Sequence, residues 1–219
     1  MGEKRAVLAL NGDLQDQISE YKDLIKQQKQ VQECVYVAAD GGALLFRELG
    51  ILPEIIIGDL DSLTEKDIEF FRSQEVKVSQ FSVEKDKTDG ELALDFCHRK
   101  GIKEISIIGA LGGRYDQQLG NLFLLEYALK LGQNAVIKEP GIEIGLVEDS
   151  LKLENRPGKR LSLIPLTEEV RNVVIEGCKY NLQGEDLFRY RSRGLSNIIE
   201  DELALIKIDE GILIYLMGV

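Results

Sequence analysis

The chain has 219 residues, a net charge of −11 and a hydrophobic fraction of 44%, which is enough apolar material for one large or two small globular domains. Such an acidic chain is unsuited to nucleic acid, because a phosphate backbone requires a basic surface. It contains no run of about 18 apolar residues, and its three cysteines lie far apart, so we expect no membrane span, no disulfide framework and a cytoplasmic location.

The first part of the chain alternates short apolar runs with segments of helical periodicity. The predicted strands are RAVLAL, CVYVAAD, EIIIGD, VKVSQF, EISIIGA and NAVIKE, and the predicted helices include 16–30, 64–72, 88–100 and 116–131. Capping-box patterns mark two helix starts, Thr64 with Asp67 and Thr88 with Glu91. The single histidine, His98, lies near a predicted helix end, where a cation favours the dipole. This alternation predicts an α/β domain over 1–140 with a mainly parallel sheet.

After about Pro140 the periodicity changes from helical to alternating. The segments SLKLENRPGKRLSLIPLTEEVRNVVIEGCKYNLQGEDLF and ELALIKIDEGILIYLMG combine β-branched runs with Gly and Asn turns. A polar, basic segment, RYRSRGLSNIIED, separates them. We therefore expect a second, antiparallel all-β domain over 141–219.

Polar residues recur where the predicted strands end, and open parallel sheets bind ligands outside the carboxyl ends of their strands. The motifs ADGG, GDLDS, KDKTD and GGRYDQ contribute six carboxylates: Asp40, Asp59, Asp61, Asp86, Asp89 and Asp116. Like charges destabilise a fold when they are left unpaired. Mg²⁺ prefers oxygen ligands and joins carboxylates to substrate phosphates, so we expect a magnesium site here.

Other residues in the same motifs suit phosphate binding. Glycines let the backbone approach a phosphate and offer its N–H groups, and the candidates are Gly41, Gly42, Gly112 and Gly113. Arg114, with Lys85 or Lys87, would supply positive charge. Asp59 and Asp61, at i and i+2, would leave an extended chain on the same side and present two ligands together.

Each carboxylate also has a simpler explanation. Asp116 is a candidate N-cap of the helix that follows it, and Asp89 in a first helical turn complements the helix dipole. Asp40, before two glycines, suits a turn. Asp59 and Asp61 are harder to explain in this way, since a turn needs one such residue rather than two.

In this order and at these separations, ADGG, GDLDS, KDKTD and GGRYDQ resemble the motifs of the thiamine pyrophosphokinase family, and RGLSN resembles its thiamine-side segment. The resemblance implies an enzyme that transfers the pyrophosphoryl group of ATP to the hydroxyl of thiamine, giving thiamine diphosphate and AMP with Mg²⁺ as cofactor. It also implies a homodimer with its active site between subunits. The α/β domain would bind ATP and magnesium, and a C-terminal β-sandwich would bind thiamine and mediate dimerisation.

The resemblance extends to individual residues. It assigns the magnesium carboxylates to Asp40, Asp59, Asp61 and Asp89. It assigns nucleotide and substrate contacts to Gly41, Gly42, Asp86, Lys87, Thr88, Gly113, Arg114, Asp116 and Gln117. It assigns thiamine contacts to Ser196 and Asn197. Asp86 or Asp116 would orient the thiamine hydroxyl or accept its proton.

The chain departs from the family pattern at two points. It has no tryptophan to stack on thiamine, so Tyr190 is the candidate for that role. Gln117 stands where many bacterial relatives have histidine, which excludes an essential imidazole there and leaves a hydrogen-bonding amide. Two other functions remain open, a metal-dependent phosphohydrolase and a non-catalytic thiamine or nucleotide sensor.

Overall fold

The computed structural model describes residues 4–12, 17–29, 34–82 and 86–218. The chain forms two compact units, Met1–Pro140 and Gly141–Val219, here called unit 1 and unit 2. The ends of the first predicted helix, Asp16 and Gln30, lie outside the described residues, and so does Lys85.

Unit 1 alternates strands and helices throughout. Its elements in chain order are β1 (Arg5–Ala9), α1 (Ile18–Lys29), β2 (Cys34–Ala39), α2 (Gly42–Glu48), β3 (Ile55–Gly58), α3 (Glu65–Ser73), β4 (Lys77–Gln80), α4 (Asp89–Arg99), β5 (Glu104–Ile108), α5 (Tyr115–Lys130) and β6 (Asn134–Glu139). The six strands pair in parallel in the order β6-β5-β1-β2-β3-β4. The predicted α/β class with a mainly parallel sheet is therefore confirmed.

The strand order reverses beside β1. The chain runs from β1 outward to β4 on one side, and then returns to place β5 and β6 on the other. The carboxyl ends of β1 and β5 therefore flank the switch point of the sheet, which is where open α/β sheets bind ligands.

The central strands are covered on both faces. Ala6, Val7, Leu8 and Ala9 of β1 are all buried, and so is every residue of Ile55–Gly58. Strands buried on both faces have continuous apolar runs, as parallel sheets require. The three isoleucines of β3 therefore anchor the strand in the core, and the GDLDS segment follows directly from it.

The predicted helix boundaries are close to those observed. Both capping boxes are present, at Thr64 with Asp67 and at Thr88 with Glu91. His98 lies in the last turn of α4, as expected. Among the described residues, no helix is both long enough and apolar enough to cross a membrane.

Unit 2 consists of antiparallel strands. They are β7 (Ile142–Val147), β8 (Ser150–Glu154), β9 (Arg160–Pro165), β10 (Glu169–Glu176), β11 (Leu182–Phe188), β12 (Asn197–Ile198), β13 (Leu203–Lys207) and β14 (Leu213–Gly218). They form two layers, β12-β9-β14-β7 and β11-β10-β13-β8. One buried cluster joins the layers, with Leu163 and Tyr215 from the first and Val173 and Ile206 from the second. The predicted β-sandwich is confirmed.

Candidate active site

Three carboxylates meet at the carboxyl edge of the sheet in unit 1. Asp40, Asp59 and Asp89 each offer an oxygen, and these oxygens lie within 4.8 Å of one another. Asp40 is only 7% exposed, and its Oδ1 has no hydrogen-bond partner among the described residues. A buried carboxylate oxygen without a partner is costly. A divalent cation bound by oxygen ligands would satisfy it, so the three residues fit such an ion.

The backbone around Asp40 fixes its side chain between two elements. Asp40 has a left-handed φ of 45° in the turn from β2 to α2. Its N–H donates to the carbonyl of Ile57, 2.9 Å away, and its carbonyl accepts from the N–H of Ala43 at 3.1 Å. A Cβ on Gly58 would lie 3.1 Å from the Asp40 Cβ. The backbone of Asp40 therefore forms the turn from β2 to α2, while its carboxylate belongs to the acidic group.

The GDLDS segment is not extended, which makes the expectation of two ligands on the same side of a strand wrong. Leu60 has a left-handed φ of 68° and buries its side chain. The N–H of Asp61 donates to Asp59 Oδ1 at 3.2 Å, and Asp61 Oδ1 accepts from the Ser62 hydroxyl at 3.2 Å. Asp61 is exposed and lies outside the three-carboxylate group.

Asn11, which follows β1, contacts the GDLDS segment and was not among the predicted site residues. Its Nδ2 donates to the Ser62 hydroxyl at 3.0 Å. A Cβ on Gly41 would collide with its side chain, and one on Gly42 would collide with the Ala9 carbonyl. Close packing against the backbone of β1 therefore requires glycine at position 42, whereas a side chain at position 41 would displace the Asn11 side chain. An Asn-Gly pair after a strand is a common turn signal, and only the fold shows the partners of Asn11.

The loop from β5 to α5 has a shape that depends on glycine. Gly109, Gly112 and Gly113 have left-handed φ values of 65°, 91° and 72°. A Cβ on Gly113 would meet nothing within 4 Å, so the backbone there is open to a ligand. The N–H groups of Ala110 and Leu111 instead donate to a buried carboxylate of the protein.

Arg114 and Asp116 form an ion pair with each other. Arg114 Nη2 lies 2.6 Å from Asp116 Oδ2, and Nε lies 3.1 Å from Oδ1. The hydrogen bond from Arg114 holds the pKa of Asp116 below its usual range. The N-cap of α5 is Arg114, so the alternative that Asp116 caps this helix is wrong. The Gln117 N–H donates to Asp116 Oδ1 at 3.0 Å.

Lys87 is also held by protein groups. Its Nζ lies 2.6 Å from Asp95 Oδ2 and 2.8 Å from the Tyr127 hydroxyl, which itself donates to Asp95 Oδ1. The hydrogen bond to Asp95 raises the pKa of Lys87, so the ammonium stays charged. Asp86 is exposed beside it, and the hydroxyl of Thr88 caps α4.

In unit 2 the two residues of the RGLSN segment have different environments. Asn197 is buried; its Oδ1 accepts from the N–H groups of Tyr180 and Ile198, and its Nδ2 donates to the Tyr180 carbonyl at 2.7 Å. Ser196 is exposed, with a left-handed φ of 61°. Tyr190 is 74% exposed, which leaves its ring accessible. The Asn197 amide is thus committed to the fold, whereas Ser196 and Tyr190 face solvent.

The fold and the site together indicate a class of protein. An open parallel sheet with an acidic group at its carboxyl edge and a glycine-rich loop at its switch point is suited to an α/β enzyme that binds a phosphorylated ligand together with a divalent cation. The model of the thiamin pyrophosphokinase catalytic domain matches residues 12–137, and that of the family's vitamin B1 binding domain matches 149–213. The chain belongs to the thiamine pyrophosphokinase family, which confirms the predicted resemblance.

Individual relatives agree with this assignment. The chain is 29% identical over 191 residues to the thiamine pyrophosphokinase of Bacillus subtilis, a match covering 84% of this chain and 86% of the relative. It is 24% identical to thiamine pyrophosphokinase 2 of Arabidopsis thaliana, and that match covers 97% of this chain and 85% of the relative. The crystal structure of the Bacillus subtilis protein superimposes with a TM-score of 0.84 over 99% of both chains, at 24% identity. The crystal structure of the Enterococcus faecalis thiamin pyrophosphokinase family protein superimposes with a TM-score of 0.80 at 25% identity, over 98% of this chain and 99% of that one.

Proposed function

We propose that this chain is a thiamine pyrophosphokinase, a transferase that converts ATP and thiamine into AMP and thiamine diphosphate. The observation that carries the proposal is the catalytic-domain match over 12–137, a range that contains all three carboxylates of the acidic group. The family makes a pyrophosphoryl transferase the favoured function and leaves the phosphohydrolase and the sensor without support of their own.

The acidic group is the proposed magnesium site. Asp40, Asp59 and Asp89 would hold the ion, and the orphaned Oδ1 of Asp40 supports this assignment. When bound, Mg²⁺ would supply positive charge that neutralises phosphate oxygens of ATP. Asp61, which lies outside the group in the structure, remains a proposed ligand from the family resemblance.

The proposed reaction needs positioning rather than a covalent nucleophile. The thiamine hydroxyl oxygen forms a bond to the β-phosphorus of ATP, and the bond from that phosphorus to the α,β-bridging oxygen breaks, so that AMP leaves. Asp86 or Asp116 orients the hydroxyl or accepts its proton, and Arg114 balances charge on the phosphates. Phosphoryl-type transfer is accelerated mainly by such positioning and charge stabilisation. Burial raises the pKa of the Cys97 thiol to about 12, so that thiol stays protonated and is a poor nucleophile.

The remaining contacts follow the two units. We assign the nucleotide to Gly41, Gly42, Lys87, Thr88, Gly113 and Gln117. We assign thiamine to Ser196 and Asn197, with Tyr190 as the ring that stacks on it. The exposure of Ser196 and Tyr190 supports their part of this assignment. The side-chain amide of Asn197 is hydrogen-bonded to the backbone of Tyr180, which supports a role for Asn197 in fixing the conformation of the RGLSN segment.

We also propose a homodimer, with each active site completed by the partner. Tyr115, Leu119 and Phe123 lie four residues apart on α5 and are 84%, 58% and 57% exposed. This apolar stripe faces solvent on a chain of net charge −11. Charges near it are paired with each other, in Arg114–Asp116 and in Glu126–Lys130, so the stripe suits a second copy better than a charged partner. The proposed location is the cytoplasm, where buried thiols such as Cys97 and Cys178 persist.

The decisive experiment incubates purified protein with Mg-ATP, with and without thiamine, and measures AMP, ADP and free phosphate separately. Thiamine-dependent AMP together with thiamine diphosphate supports the proposal. Thiamine-dependent ADP indicates single phosphoryl transfer, free phosphate indicates hydrolysis, and binding without turnover indicates a sensor; each of these contradicts it. In the same assay Asp61→Asn should strongly reduce turnover, whereas near-normal rates at saturating Mg²⁺ would remove Asp61 from the ligand set.

A further inference from the structure

A second buried carboxylate lies close to the site and has no part in the reaction proposed above. Glu139, the last residue of β6, is 6% exposed. Its Oε1 accepts hydrogen bonds from the N–H groups of Ala110 at 2.6 Å and Leu111 at 3.3 Å, and its Oε2 accepts from the Tyr21 hydroxyl. A carboxylate is buried at such a cost that it needs dedicated donors. Here they come from α1 and from the loop that joins β5 to α5.

The same loop is restrained from other directions. Asn121 Nδ2, on α5, donates to the Ala110 carbonyl at 2.8 Å. A Cβ on Gly12, after β1, would collide with the carbonyls of Gly109 and Leu111. The loop therefore has a strand end, a helix and a carboxylate packed against it. Of these three, Glu139 is the one that accepts hydrogen bonds from the N–H groups of the loop within the described residues.

Two consecutive N–H groups that converge on one anion resemble the backbone arrangement that proteins use for phosphates. In this loop the anion is the protein's own, so Ala110 and Leu111 have no N–H left for a ligand. The groups that follow, at Gly112 and Gly113, take left-handed conformations, and Arg114 begins α5. The orientation of those three residues depends on where the preceding pair is fixed.

We infer that Glu139 is a positioning residue of the nucleotide site. It fixes Ala110 and Leu111 so that Gly112, Gly113 and Arg114 are presented to the polyphosphate in one conformation. This inference rests on the proposed function, which assigns Gly113 and Arg114 to the nucleotide. Burial raises the pKa of Glu139 above its usual value, although its donors act in the opposite direction.

The test compares Glu139→Ala with Gln133→Ala. Gln133 is a matched control because it is also a buried polar residue of unit 1, 3% exposed, whose Nε2 donates to the carbonyls of Leu94 and Ile102, away from the loop. Both substitutions remove buried hydrogen bonds and lower stability. Only Glu139→Ala should raise the KM for Mg-ATP, by about tenfold or more, because it displaces the groups at Gly113 and Arg114 that are proposed to bind the nucleotide. The KM for thiamine should change less than about twofold in both.

Two further variants keep the test decisive if Glu139→Ala folds poorly. Glu139→Gln retains an oxygen acceptor for the two N–H groups and should restore the KM for Mg-ATP to within about threefold of the unmodified chain. Asn121→Ala removes the bond to the Ala110 carbonyl from a partly exposed position, and should shift the KM for Mg-ATP in the same direction as Glu139→Ala. Equal effects of Glu139→Ala and Gln133→Ala, or no effect of Asn121→Ala, would overturn the inference.

Hydrogen exchange separates this inference from the proposed function. The amide protons of Ala110 and Leu111 should exchange faster in Glu139→Ala and keep their native rate in Gln133→Ala, whether or not the protein turns over thiamine. If the unmodified chain makes no AMP but these rates change as expected, the proposed function fails, and only the fixing of the loop by Glu139, without its link to the nucleotide, is retained. Unchanged exchange in Glu139→Ala overturns the positioning role even in an active enzyme.

Discussion

Gly58, at the end of β3, leaves no room for a side chain beside Asp89 of the acidic group. A Cβ added to Gly58 would lie 3.1 Å from Asp89 Cγ and 3.2 Å from its Oδ1. Contacts this short require the neighbour to move by a few tenths of an ångström. A side chain at this end of β3 would therefore press on the Asp89 carboxylate of α4.

Gly58→Ala should for this reason lower turnover, and its φ of 158°, which L residues rarely adopt, should make it less stable as well. We expect kcat to fall by about tenfold, because small displacements of positioned groups are costly in catalysis, and the Mg²⁺ concentration for half-maximal rate to rise. The measurement is thiamine-dependent AMP formation over a range of Mg²⁺ concentrations. Gly101→Ala is the control: its φ is 70° and its Cβ would meet nothing within 4 Å, so it should cost about 1 kcal/mol of stability and leave the rate unchanged. Equal rates in the two variants would contradict the prediction.

Asp40→Asn should abolish most of the stabilisation by magnesium. In the unmodified chain, Mg²⁺ at about 100 times its Kd should add about 2.7 kcal/mol to the free energy of unfolding. The variant has one fewer repelling charge, so without metal it should be at least as stable as the unmodified chain. Thermal unfolding with and without Mg²⁺ measures both effects. Glu65→Gln, which changes an exposed carboxylate, should keep the full shift, and a full shift in Asp40→Asn would rule out the site.

Asp95→Asn should lower stability in a pH-dependent way. Burial tends to raise the pKa of Asp95, but the hydrogen bonds from Lys87 and Tyr127 outweigh it and the pKa is lowered from 3.8. Below that value the unfolded chain therefore binds more protons than the folded one. The stabilisation by this carboxylate is complete above pH 3.8 and is lost as the pH falls through the folded-state pKa.

Urea unfolding of Asp95→Asn and the unmodified chain measures this difference. At about pH 7 we expect a loss of about 1 kcal/mol, and the two curves should converge as the solution is acidified well below pH 3.8. Asp23→Asn is the control, since Asp23 pairs with Lys26 in an ion pair whose side chains are 72% exposed; it should change little at any pH. A constant difference across the pH range would contradict the prediction.

Ser196→Ala and Asn197→Ala should separate binding from folding in unit 2. Asn197→Ala removes three partly buried hydrogen bonds and should lower the free energy of unfolding by about 2 kcal/mol. Ser196→Ala should leave stability unchanged and raise the KM for thiamine about tenfold, as the loss of a polar contact to a ligand does. Ser192→Ala, at an exposed position in the same segment, is the control. An unchanged KM in Ser196→Ala would remove this residue from the thiamine site.

Leu119→Glu should convert the proposed dimer into a monomer. It places a charge in the middle of the apolar stripe of α5, where two copies would otherwise bury it. Sedimentation or light scattering should give half the mass of the unmodified protein, and thiamine-dependent AMP formation should fall with it. Leu52→Glu changes a residue that is 47% exposed elsewhere in unit 1 and should leave the mass unchanged. A dimeric Leu119→Glu would show that the stripe is not the interface.

Local patterns were sufficient to predict most of the fold. The six strands of unit 1 are short apolar runs between turn residues, and both capping boxes are read from residues three apart. α2 was not among the predicted helices because it is only seven residues long and has no side-chain N-cap. These features depend on neighbours in sequence, which a pattern can detect.

The unpredicted parts of the site depend on partners far apart in sequence. Glu139 and Ala110 are separated by 29 positions, and Asn11 and Ser62 by 51. Lys87 was expected to contact the nucleotide; in the structure its Nζ donates a hydrogen bond to the hydroxyl of Tyr127, 40 residues away. Convergence of strand ends on one edge of a parallel sheet led us to expect six carboxylates there, and the structure groups three of them, Asp40, Asp59 and Asp89.

The left-handed Leu60 between Asp59 and Asp61 links the proposed magnesium site to the core of unit 1. Its backbone conformation costs about 1–2 kcal/mol, and burial of its side chain returns about 1.5–3 kcal/mol. The aspartates on either side are thus held by an apolar residue whose side chain is buried in the core. A substitution of Leu60 that repacks the core would therefore also move Asp59, so core packing and the proposed metal binding are linked at this position.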